Sequence, residues 1–250
     1  MKFALVDGER REPQPHLAGQ CPGCGNRVTA KCGTQRVWHW AHKGLRTCDP
    51  WWERETEWHR RWKNLFPSSW QEIPLRSEMT GERHFADVQT PYGLVIEFQH
   101  SPMSRAERLS RESFYRDMIW VVDGTRAKKD RLRIDKALPG WRRWPENQYA
   151  VKFIVENFLP SFWVTCGVPV LFDFDGLLVE SNTDHNLLCL MPNRYRADQA
   201  VFFPMARSKL IGLANGGACI PDWQEVCREL DANRLQALNA RDGLTFCRHK

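Results

Sequence analysis

Residues 81–101, GERHFADVQTPYGLVIEFQHS, constrain the fold more than any other stretch of the chain. Thr90, Pro91, Tyr92 and Gly93 form a turn, because Pro pre-sets the backbone and Gly tolerates positive φ, while the residues on either side favour extended structure. A hairpin folded about Tyr92 pairs positions equidistant from it, so Asp87 faces Glu97 and Phe85 faces Gln99. Directly opposed side chains have Cβ atoms about 5 Å apart, and two carboxylates there repel unless a positive charge lies between them. A divalent cation resolves that conflict. The strand period of two places Ala86, Val88, Leu94, Ile96 and Phe98 on the other face, which is apolar enough to pack on a core. The competing reading is a half-exposed hairpin with a solvated polar face, its acids neutralised by Arg83 or another base.

Nearer the start, residues 2–6 predict a strand closed by the turn pair Asp7-Gly8. A polar, Pro-containing loop follows and leads to Cys21-Pro-Gly-Cys24-Gly, in which two thiolates separated by two residues can converge on one tetrahedral ion. Trp38-His39-Trp40-Ala41-His42 offers two imidazoles to complete the set. The predicted zinc ligands are Cys21, Cys24, His39 and His42, although Cys48 can replace either histidine as the fourth ligand. Four protein ligands leave no open position, so the role is structural. So short a segment has little core of its own, and the metal becomes a folding requirement. A redox Cys pair is the alternative chemistry, but the chain lacks the preceding βαβ pattern that such motifs accompany.

From Asp49-Pro50 the sequence reads WWERETEWHRRWKNLF and stops at Pro67, which predicts a helix capped by Asp49. Trp51, Trp58, Trp62 and Leu65 share one stripe, whereas Glu55, His59 and Lys63, four apart, share another. An acid, an imidazole and an amine then lie on one face, which can equally be an ordinary ion ladder on a helix surface. A strand over residues 70–77, the hairpin, a helix over 105–116 and a buried strand over 118–122 follow. The predicted order is α-β-β-β-α-β.

That order, with an acid on the second strand and Glu-x-Gln on the third, resembles the PD-(D/E)xK nuclease core. More specifically, residues 1 to about 122 resemble the competence protein CoiA-like family. The resemblance is carried by Cys21-Pro-Gly-Cys24, His39-Trp-Ala-His42, Glu55-Thr-Glu-Trp-His59 with Lys63, Arg83 with Ala86-Asp87-Val88, Glu97-Phe-Gln99 with Ser101, and Arg111 with Tyr115 before Ile119-Trp120. It implies a zinc-ribbon-like module (1–50) followed by a nuclease-like domain (51–147); residues 148–250, beyond the resemblance, are read as a C-terminal accessory region of unknown role. It assigns Asp87 and Glu97 to a metal site, Gln99 to the position of the motif's lysine, and Glu55 to an acid approaching from the first helix. His59, Lys63, Arg83, Arg111 and Tyr115 become supporting or DNA-contacting candidates. Neutral Gln99 orients by hydrogen bonds where lysine supplies charge, so Lys63 is the residue able to take over that role. Phosphodiester hydrolysis needs a nucleophilic water and charge stabilisation on phosphate oxygens. Mg²⁺ or Mn²⁺ held by carboxylates supplies both.

Composition agrees with a nucleic-acid partner without demanding one. The 36 basic and 30 acidic residues give +6, with local basic groups at Arg60, Arg61 and Lys63 and again from Arg126 to Lys136. The start is charged too early for a secretory signal and no long uncharged apolar run follows, so a cytoplasmic protein without membrane contact is expected, with DNA and proteins of DNA processing as partners. Nine Cys in such a setting favour metal binding or free thiols over disulfides. Trp141-Arg-Arg-Trp144 reads as a DNA-contacting extension or a solvated connector. Asp173-Phe-Asp175-Gly176 resembles the first motif of haloacid dehalogenase-type phosphatases, but too little chain follows to build that fold around it. Cys219, Cys227 and Cys247 lack metal spacing, and residues 224–239 predict a helix. Against the nuclease stands a non-catalytic DNA-binding or recruitment protein on the same scaffold.

Overall fold

The computed structural model describes residues 1–44, 48–126, 128–138, 150–153, 159, 161–174, 187–192, 195, 199–216 and 222–246. The Trp141–Trp144 cluster, Asp175–Ser181, Cys219 and Cys247 lie outside them.

The N-terminal strands β1 (Ala4–Val6), β2 (Glu9–Arg11), β3 (Ala18–Gln20), β4 (Arg27–Lys31) and β5 (His39–His42) form an antiparallel sheet in the order β2-β1-β3-β4-β5. Asp7 and Gly8 both take positive φ, 53° and 83°, which makes the β1–β2 turn the tight type expected of Asp-Gly. Its core is small: Ala4, Val6, Cys21, Val28 and Trp40.

The remaining elements are α1 (Glu57–Lys63), β6 (Gln71–Arg76), β7 (Arg83–Gln89), β8 (Val95–Gln99), α2 (Arg105–Tyr115), β9 (Met118–Asp123), α3 (Lys128–Ala137), β10 (Ala150–Phe153), α4 (Ser161–Val164), β11 (Val170–Asp173), β12 (Leu187–Leu190), β13 (Gln199–Met205), α5 (Arg207–Gly216) and α6 (Trp223–Phe246). The α-β-β-β-α-β order over residues 57–123 is the expected one. The helix, however, starts at Glu57 rather than near Asp49. Thr56 caps it through a reciprocal bond with His59, and Asp49 instead accepts the Trp51 N–H in a local turn. Glu55 therefore precedes the helix.

The second sheet has eight strands in the order β10-β13-β12-β11-β9-β8-β7-β6. Strands β8, β9 and β11 run parallel, with antiparallel strands on both sides. The C-terminal strands extend the same sheet, because β11 hydrogen-bonds directly to β9, and position 147 falls within the span of chain that builds it. Helices cover both faces: α2, α3 and α4 bury Tyr115, Ile134 and Trp163 on one, and α1, α5 and α6 bury Trp58, Trp62, Leu210 and Val226 on the other. The central hairpin is consequently buried throughout β8, unlike a half-exposed ribbon. Val88, Ile96 and Phe98 share one cluster as expected, while Ala86 belongs to the other.

Candidate functional site

The hairpin register is the predicted one at its closed end, with Val88 opposite Ile96 and Gln89 opposite Val95. One step further the ladder opens. The Asp87 N–H donates to Glu97 Oε1 at 3.0 Å, and the Phe98 N–H donates to Asp87 Oδ2 at 3.0 Å. Carboxylates thus replace backbone carbonyls as acceptors, which fixes both acids at the point where the strands part.

A cavity of about 90 Å³ opens beside them. Six carboxylates line it (Asp49, Glu53, Glu55, Glu72, Asp87 and Glu97) against the cations Lys63, Arg111 and, at Met1, the N-terminal ammonium. Lys63 is buried, with its ammonium 2.8 Å from Glu55, 2.9 Å from Glu72 and 3.7 Å from Asp87. Arg111 reaches from α2, pairing with Glu97 at 3.0 Å and with Glu107, and donating to the Trp51 carbonyl. Burial, then the Asp87 charge, pushes the Glu97 carboxyl up to about 8 in spite of Arg111. Burial also raises Asp87, with Lys63 opposing. Burial would raise Glu72 as well, but Lys63, the N-terminal ammonium and the Lys2 N–H hold it well below the carboxylate range. Burial is thus the first reason that both carboxyls resist ionisation, joined at Glu97 by the Asp87 charge, and an added cation would favour the charged form of each.

Glu72 had no signal in the sequence pattern. Its φ of +47° interrupts β6, whose partners Gln71 and Ile73 pair with Val88 and Ala86 on either side of it. That backbone conformation is sparsely populated for a side-chain-bearing residue. It is held because both Glu72 oxygens accept the Lys2 N–H, at 2.8 and 2.7 Å, and one also accepts that of Phe3. Glu53 was also missed: it accepts from Gln99 Nε2 at 2.8 Å and the Ser101 N–H at 2.5 Å.

The other predicted residues divide clearly. His59 lines the cavity. Its Nδ1 belongs to the helix cap, while its buried Nε2 has no hydrogen-bond partner and lies 3.6 Å from Glu53; burial, opposed by Glu53, brings it down to about 4. Gln99 does not line this cavity; its amide is tied to Glu53 and the Ser101 carbonyl. Tyr115 donates to the Phe85 carbonyl, and Arg83 donates to the Gly23 carbonyl, so both brace the site from outside it.

The cysteine-rich module borders the same cavity, through His42 and Cys48. Cys21, Cys24, His42 and Cys48 bring their ligand atoms within 4.8 Å of one another, the one such group among the described residues. Tetrahedral zinc with ordinary Zn–S and Zn–N bonds implies edges of about 3.8 Å between sulfurs and about 3.5 Å between sulfur and nitrogen. The structure has 3.9 Å for Cys21–Cys48, 3.3 Å for Cys24–His42 and 3.4 Å for Cys48–His42. The set could hold zinc. His39 is excluded, and Cys48 takes its place: both histidines sit on β5, where residues three apart point to opposite faces, and His39 Nδ1 bonds the Val37 carbonyl. Two glycines shape the knuckle. Gly25 takes φ +73°, and a Cβ on Gly23 would come within 2.6 Å of the Phe85 ring.

Asp173 is fully buried, and its Oδ2 accepts the indole N–H groups of Trp58 and Trp62, both at 3.0 Å. A sealed carboxylate holding two tryptophans is a packing device and not an accessible nucleophile. Among the described residues no helix is long and apolar enough to cross a membrane.

Residues 18–50 match the family model described as competence protein CoiA, N-terminal domain. The matched segment carries Cys21, Cys24, His42 and Cys48, so the family match and the clustered ligands coincide. No curated protein and no solved structure matches the chain.

Proposed function

The chain is CoiA-like in its N-terminal module, and from that premise we propose that it is a divalent-metal-dependent DNA nuclease with a competence-related role in DNA processing. The carrying observation is the pair Asp87 and Glu97, fixed where the β7–β8 ladder opens, both raised in pKa inside a cavity with more carboxylates than cations. Mg²⁺ or Mn²⁺, bound by Asp87 and Glu97, would act as Lewis acid and lower the pKa of a bound water. This chain's own residues do the rest. Lys63, close to Asp87, supplies the positive charge that Gln99 lacks. Arg111 orients Glu97, and neutral His59, whose Nδ1 accepts the Thr56 N–H, carries its proton on Nε2 and offers that N–H as a donor at the cavity wall. The α-β-β-β-α-β order supports a PD-(D/E)xK-like core. The thiolate and imidazole set takes zinc as a structural ion, separate in chemistry from the oxygen site.

One observation favours the second reading, a DNA-binding or recruitment scaffold without catalysis. Gln99 is locked to Glu53, and Lys63 and Arg111 already neutralise part of the acid cluster. Incubating single- and double-stranded DNA with the purified chain, with and without Mg²⁺ or Mn²⁺, separates the two. Cleavage that requires added metal supports the nuclease; binding with no cleavage under any metal supports the scaffold.

A further inference from the structure

A second cavity, of about 440 Å³, is lined by Gln99, which does not line the acid cavity. It is bounded by the end of β8, the C-terminal ends of the parallel strands β9 and β11, and the aromatic residues of α4. Glu53 forms the partition, since the carboxylate that binds Gln99 and Ser101 also lines the acid cavity. The two spaces are one side chain apart.

Gln99 gives this cavity a polar demand. Its Nε2 lies between two acceptors, the Glu53 carboxylate and the Ser101 carbonyl, which settles which end of the amide is nitrogen. The Oε1 is then a buried acceptor with no partner on a residue only 3 % exposed. Native structures rarely leave such an atom unsatisfied, so a donor from a ligand is the natural complement. Asp123 is not that ligand's anchor. One of its oxygens takes His100 Nδ1 at 2.7 Å and the other takes both the N–H and hydroxyl of Thr125.

The walls are flat and apolar. Trp163, Phe172 and Phe174 line the space, with Phe172 and Phe174 stacked at 5.7 Å and 20°. A basic helix adjoins it: Arg126, just before α3, donates to the His100 carbonyl, and Arg131 on α3 donates to that of Phe174. Stacking surface beside positive charge is how proteins hold unpaired nucleic-acid bases, and the volume suits a small ligand of that kind.

We propose that this cavity takes an unpaired nucleobase of the same strand whose phosphate lies at the acid cavity. The base lies against the Trp163–Phe172–Phe174 wall, and an imino or amino N–H donates to Gln99 Oε1. This deepens the nuclease reading and rests on it for the position of the phosphate: the substrate is a strand with bases free of pairing.

The test measures binding of short labelled strands by fluorescence anisotropy, without added divalent metal and without chelator, and cleavage of the same strands once Mg²⁺ is added. An all-adenine strand should bind the parent protein at least about fivefold more tightly than an abasic strand with the same number of phosphates. Replacing adenine by purine, which lacks the amino group, should forfeit part of that difference. Met103→Trp, which fills the cavity from its rim, should erase it while leaving zinc content and melting temperature unchanged. Equal affinity of the parent for adenine and abasic strands, or full discrimination by a folded Met103→Trp, overturns the pocket. Discrimination without cleavage upholds the pocket and removes the hydrolytic reading; cleavage without discrimination does the reverse; neither binding nor cleavage of either strand removes both.

Discussion

Asp87 gives its backbone N–H to the side chain of Glu97, at 3.0 Å, where an unbroken antiparallel ladder would offer a carbonyl. The local gap in the sheet and the acidic cavity are therefore one feature. Residues that interrupt the strands also supply the carboxylates, and Lys63 and Arg111 approach them from the helices on either side.

Lys63 is the chief counter-charge of that cavity, so its loss should be felt in stability before activity is considered. Lys63→Met leaves Glu55, Glu72 and Asp87 without their shared cation and should cost about 3–5 kcal/mol in urea denaturation. Arg11→Ala, which breaks an exposed pair with Glu9, should leave the midpoint unchanged. Equal midpoints for the two variants would contradict the network.

The thiolate set makes a sharper distinction between two neighbouring histidines. Metal analysis should find about one zinc per chain in the parent and in His39→Ala, and little in Cys48→Ser or His42→Ala. Retention of zinc by Cys48→Ser together with its loss from His39→Ala would restore the spacing-based assignment.

The raised carboxyls set a pH signature. Folded Glu97 holds its proton up to about pH 8, whereas its ordinary value is 4.5, so its contribution to stability is complete below about 4.5 and lost as pH rises through 8. Asp87 shifts in the same direction. His59, brought down from 6.5 to about 4, works in the opposite sense only below its ordinary value. In protein that keeps its zinc but has no added Mg²⁺, the urea midpoint should fall between about pH 6.5 and 8, and Glu97→Gln should flatten that fall. A parent midpoint that rises over this interval would refute the assignment.

Much of the site was legible because it depends on short-range rules. Pro91 and Gly93 located the turn, the turn set the register, and the register brought Asp87 to Glu97. The expected single helical face carrying Glu55, His59 and Lys63 does not form, because Thr56 starts the helix after Glu55, yet Glu55 still meets Lys63 at 2.8 Å. What stayed hidden depends on distant chain. Glu72 enters the site through a backbone conformation stabilised by Lys2 and Phe3, and Glu53 through Gln99 and Ser101. His39 was paired with His42 by counting residues, a rule that suits a helix and fails on β5, where parity decides which face each ring takes. The joining of β11 to β9 had no local pattern either, since it follows from long-range pairing.

Under the proposed function, Asp87 and Glu97 together hold the hard cation that cleaves DNA. The most direct test of this is the Mg²⁺- or Mn²⁺-dependent cleavage rate of parent, Asp87→Asn and Glu97→Gln, each first shown to be folded and zinc-loaded. Both variants should lose at least about a hundredfold in rate at saturating metal. Cleavage at the parent rate in either folded variant would contradict it.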